Sequence, residues 1–106
     1  MLTKKLLFAA IFLLILATGS VQAGGDTAKG QALSVDCADC HGEDGKGDED
    51  SPMLVGLEEA YFVEQLQAYK SGTRADEDDT MLMYAEDLSD QDMADLAAYY
   101  ATLPAE

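Results

Sequence analysis

Apolar positions along the chain fall into one continuous block and three periodic stretches. Leu6 to Ala17 is an unbroken apolar run. Further on, Tyr61, Phe62, Gln65, Leu66 and Tyr69 recur at one-, four- and eight-residue spacings, which puts them on one face of a helix over Glu58 to Lys70. Gly72 is its natural stop. Near the end of the chain Met93, Leu96, Ala97 and Tyr100 form a second buried stripe. Ser89 caps that helix, with Asp92 three residues on as a near capping box, and Pro104 closes it. A third helix is predicted from Thr27 to about Asp36, capped by the Asp26 carboxylate. Gly30 inside it costs about 1 kcal/mol against alanine, which a close helix crossing would explain.

Between these stretches the pattern is lost. Gly42 to Ser51 is a glycine-broken acidic loop, and its carboxylates lack the spacing of a calcium loop. Pro52-Met53-Leu54-Val55-Gly56 is a short apolar turn segment. Thr73 to Thr80 is polar, with Arg74 its only cation, and Met81-Leu82-Met83-Tyr84-Ala85 is an apolar island. No useful β alternation and no repeat is present, so the expected class is all-α, with three main helices and long loops.

The apolar block follows the basic start Met1–Lys5 and precedes the small residues of Val21-Gln22-Ala23. This is the layout of a secretory signal peptide cleaved after Ala23. It divides the chain into a signal peptide, 1–23, and one domain, 24–106. A retained anchor is the alternative, but a span needs about 20 apolar residues.

Charge changes the picture next. The chain has 21 acidic and 6 basic residues. The leader removes Lys4 and Lys5 and no acid, leaving residues 24–106 with a formal charge of −17. Nucleic acid and anionic membranes are poor partners for such a surface. A partner with a basic docking surface suits it, as does adaptation to high salt.

The candidate chemistry is Cys37-Ala38-Asp39-Cys40-His41-Gly42. Cys-x-x-Cys-His is the attachment signature of a c-type haem: two thiols form thioethers to the porphyrin and the adjacent imidazole ligates iron. These are the only cysteines and the only histidine of the chain. A disulfide of exchange type would open a helix in a βαβ pattern, and no strand pattern exists here. His41 gives one axial ligand. For the other, spacing leaves Met81 and Met83 open, while Met93 lies on a core stripe and Met53 follows Pro52 on the histidine side.

With these blocks in hand, the chain resembles a small class I cytochrome c of the cytochrome c4 and c553 group, and the haem subunit of flavocytochrome c sulfide dehydrogenases. The matching residues are Cys37 to Gly42, Pro52 to Gly56, Tyr61 with Gln65-Leu66, Tyr69 to Arg74, and Leu88-Ser89-Asp90 leading to Leu96 through Tyr100. The resemblance implies the class I fold around one haem c held through Cys37 and Cys40. It implies Met81, seven residues before Leu88, as the second axial ligand, with Met83 the alternative. It also implies that the Pro52 carbonyl accepts from the His41 ring, and that Gly30 and Leu33 pack on Leu96 and Tyr99.

A haem with His and Met on both sides has no open position for substrate. The expected function is therefore a periplasmic one-electron carrier, not an enzyme. Its partners are redox proteins, with no nucleic acid and no membrane insertion after cleavage. The alternative is a haem subunit of a larger oxidoreductase such as a flavocytochrome c sulfide dehydrogenase. A five-coordinate, ligand-binding haem ranks last, because no distal acid–base group is evident.

Overall fold

The computed structural model describes residues 24–106. The signal peptide expected over residues 1–23 and the alternative anchor lie outside the described residues. Among the described residues are four helices and no strand: α1, Thr27–His41; α2, Glu59–Ser71; α3, Thr80–Ala85; α4, Asp90–Ala101. None of them is long and apolar enough to cross a membrane.

Helix α1 starts where expected. The Asp26 carboxylate accepts from the Ala28 and Lys29 amides, covering donors that no helical turn can satisfy. It does not stop near Asp36 but runs on through His41. No glycine or proline interrupts it after Gly30, and apolar spacing alone underestimates a helix whose last turn serves a site. Gly42, at φ 83°, ends it and donates its N–H to the Ala38 carbonyl.

Helix α2 ends at left-handed Gly72. Phe62, Leu66 and Tyr69 are buried, whereas Tyr61 is 47% exposed. The predicted face is thus narrower than its spacing implied, because Tyr61 lies on the rim of a cleft. The apolar island after Thr80, expected as loop, forms the short helix α3. Helix α4 carries the full capping box: the Ser89 hydroxyl accepts from the Asp92 amide and the Asp92 carboxylate accepts from the Ser89 amide.

The core joins Val55, Phe62, Leu66, Met93, Leu96, Ala97 and Tyr100. Phe62 and Tyr100 stack with ring centroids 5.6 Å apart. Helix α1 crosses α4 at Gly30, where an added Cβ would fall 1.9 Å from the Asp95 carbonyl oxygen and 2.7 Å from the Tyr99 Cβ. The costly glycine is therefore a contact point between helices, with the Asp95 backbone and Tyr99 nearest to it. Leu33 lies partly buried against the same core.

Beside that crossing, Asp95 is buried on α4. Its Oδ1 accepts from the Asp26 amide at 2.7 Å and from the Gln91 side-chain amide at 2.9 Å. Its Oδ2 has no partner among the described residues. The Asp26 N–H holds the carboxyl below the usual carboxylate range; burial opposes this, and Gln91 and the charge of Lys29 assist it.

Candidate functional site

The last turns of α1 carry the Cys-x-x-Cys-His run. With 3.6 residues per turn, Cys37 and His41 sit one above the other on a single face, and Cys40 lies beside them. All three line a cleft of about 410 Å³. Val55, Leu96 and Tyr100 of the core are almost fully buried behind it, which fixes the helix end that presents the donors. Burial, and then the Asp36 charge, pushes the Cys37 thiol up. Burial also pushes up the Tyr100 hydroxyl.

His41 is buried, and its Nδ1 lies 2.8 Å from the Pro52 carbonyl oxygen. A carbonyl can only accept, so Nδ1 carries the proton and donates. The lone pair is then on Nε2. Donation to a carbonyl fixes the ring and makes the free nitrogen a better metal donor. Pro52 is itself held in place: the loop before it closes on Asp48, whose carboxylate accepts from the Asp50 and Ser51 amides. The acidic loop residues Asp44 and Asp48 thus serve backbone turns.

Met81, at the start of α3, lines the same cleft and the smaller one that adjoins it. Met83, its alternative, is 67% exposed and lines neither. Met93 is fully buried in the core. Met53 lines only the adjoining cleft, with His41 and Pro52, and is about half exposed. The structure therefore brings Cys37, Cys40, His41, Pro52 and Met81 to one place.

Two groups of the site were not singled out from the pattern. One is Arg74, whose guanidinium stacks over the Tyr69 ring at 4.8 Å and donates to the Gln65 side-chain oxygen at 2.6 Å. The other is Asp76, whose carboxylate lies against the Met81 amide. Arg74 had a signal in being the lone cation of its stretch; Asp76 was one acid among many.

The donors define what the cleft can hold. Two thiols three residues apart, an imidazole with its free nitrogen fixed, and a thioether open onto walls formed by Leu54, Phe62 and Leu66. Acidic residues, Asp36, Asp50, Asp76, Glu77 and Asp78, also line the cleft. A c-type haem fits this set: its vinyl carbons take the thiols, its iron takes soft and borderline donors, and its body needs apolar walls.

Comparison with known proteins agrees with that chemistry. Residues 27–104 match the family model for cytochrome c. The cytochrome c4 of Pseudomonas aeruginosa is 40% identical over 97 residues, spanning 91% of this chain and 47% of that protein. Cytochrome c-554(548) of Halomonas halodenitrificans is 38% identical over 80 residues, spanning 74% of this chain and 96% of that one. Among solved structures, the cytochrome c4 of Acidithiobacillus ferrooxidans superposes with a TM-score of 0.68 at 30% identity, over 81% of this chain and 53% of its own. The chain spans about half the length of the cytochromes c4 it matches.

Proposed function

The chain belongs to the cytochrome c family, and from that premise we propose that it is a periplasmic one-electron carrier with His41 and Met81 as axial ligands of its haem c. The observation that carries this reading is the placement of Met81 in the cleft of Cys37, Cys40 and His41. A haem c held there would supply one-electron redox chemistry.

The residues of the chain do the rest. Cys37 and Cys40 hold the group by thioether bonds, so it cannot leave with changes of oxidation state. The Pro52 carbonyl keeps the proton on Nδ1 and the His41 ring at one angle. Phe62 and Leu66 exclude water, and a thioether donor in an apolar pocket favours the less charged iron. With His41 and Met81 held in place by the fold, little would have to move between oxidation states. The basic start, apolar run and small residues before Gly24 support export, and the acid excess suits a basic docking partner.

The ferric and ferrous spectra of the holoprotein test the ligation. Met81→Ala is expected to lose the thioether–iron charge-transfer band and to lower the midpoint potential, while Met83→Ala keeps both. An unchanged Met81→Ala spectrum would remove Met81 as a ligand. A second reading, a haem subunit of a larger oxidoreductase such as a flavocytochrome c sulfide dehydrogenase, draws support from the exposed Met53, Tyr61 and Tyr84 along the two clefts. Its mark would be a flavoprotein retained through purification at high salt.

A further inference from the structure

Helix α3 is six residues long, too short to hold itself in water. Its cap residue, Asp79, sits in the left-handed region at φ 54°, ψ 27° and makes no side-chain cap. The second amide of such a helix, here that of Met81, has no helical acceptor. In this chain the acceptor comes from outside the helix. Both carboxylate oxygens of Asp76 lie against the Met81 N–H, at 3.3 and 3.4 Å. The Asp76 carbonyl also accepts from the Asp79 amide at 3.2 Å, so one residue closes both ends of the turn that leads into Met81. Asp76 and Met81 line the same cleft.

We propose that Asp76 is the positioning residue for Met81: its carboxylate grips the Met81 amide and so keeps the thioether aimed into the haem cleft. This rests on Met81 being the axial ligand. The other acids of the turn, Glu77 and Asp78, line the cleft too but make no side-chain hydrogen bond to Met81. What sets Asp76 apart is its backbone contact, not its charge.

Competition between the thioether and added imidazole for ferric iron reads the hold directly, because the methionine must swing away as imidazole binds. In the holoprotein, Asp76→Ala is expected to take up imidazole about tenfold more readily, as for loss of a hydrogen bond to a charged group. Asp76→Asn, which keeps an acceptor oxygen without the charge, is expected to stay within about twofold of the parent while its midpoint potential rises. Asp87→Asn, at the exposed residue two positions after α3 and outside the cleft lining, is expected to leave uptake unchanged. Amide hydrogen exchange on the unsubstituted holoprotein gives a second reading that needs no variant: the Met81 amide is expected to be protected although no helical turn covers it. Parental uptake in Asp76→Ala, equal effects of Asp76→Ala and Asp87→Asn, or an unprotected Met81 amide would overturn the proposal. Parental imidazole uptake by Met81→Ala would instead overturn the ligand assignment beneath it.

Discussion

A single side chain shows how far burial and charge can diverge in so acidic a protein. Asp95 is fully enclosed by its neighbours, yet it is held ionised by the Asp26 amide. Its carboxyl has a lower pKa folded than unfolded. The stability this supplies is complete above the unfolded value of about 3.9 and is lost as pH falls through the lower folded value. Asp95→Asn removes that dependence. Acid unfolding followed by helical circular dichroism is expected to be steeper below about pH 4 in the parent than in the variant. Curves of equal slope would assign the acid sensitivity to other carboxylates.

At this scale the sequence was uneven as a guide. Cys37, Cys40 and His41 are legible because covalent chemistry dictates their spacing. Asp95 and Asp76 are not, because 21 acids give no local sign of which one is turned inward. Only folded contacts, the long-range one from the Asp26 amide to Asp95 and the turn that brings Asp76 onto the Met81 amide, separate them from the solvated majority.

Elements are governed by their ends and crossings. The cap of α4 and the stop of α2 are written in Ser89 and Gly72. The extension of α1 to His41 and the existence of α3 are not, because neither depends on an apolar stripe. Helix α1 is amphipathic only weakly, and it is fixed by its crossing with α4. That crossing sets the direction of the haem-binding turn, so its tightness has a functional reason. Alanine at position 30 gains about 1 kcal/mol of helix propensity but must enter space held by the Asp95 backbone. Overpacking costs about 1–3 kcal/mol, and a clash with rigid backbone puts this site at the upper end, so Gly30→Ala is expected to lower the denaturant midpoint of the holoprotein by a net destabilisation of up to about 2 kcal/mol. An unchanged or raised midpoint would show that α1 can lift off α4 freely.

For the whole molecule the dominant property is charge. With −17 on residues 24–106, association with a basic redox partner is steered over distances that salt curtails, the Debye length falling from about 10 Å at 0.1 M to about 3 Å at 1 M. Second-order electron-transfer rates with a basic partner are expected to fall steeply between low and high ionic strength, while rates with a neutral small-molecule oxidant change little. Equal salt responses would make the acidity a matter of hydration and not of docking. Nothing in the arrangement of the four helices reveals this; the fold sets where the cleft opens, and the surface sets who reaches it.

The bond from the Asp26 amide to Asp95 joins residues 69 positions apart. Bringing such distant points together costs roughly 4 kcal/mol of chain entropy before any fixed initiation term, and the return comes only when α1 and α4 have both formed and met. Neither end of the domain can therefore settle by itself. The segment bearing the cysteines gains its docked shape from residues at the far end of the chain. Before that meeting the Cys37 thiol, which packs partly buried against the core once α1 has docked, is more open to solvent.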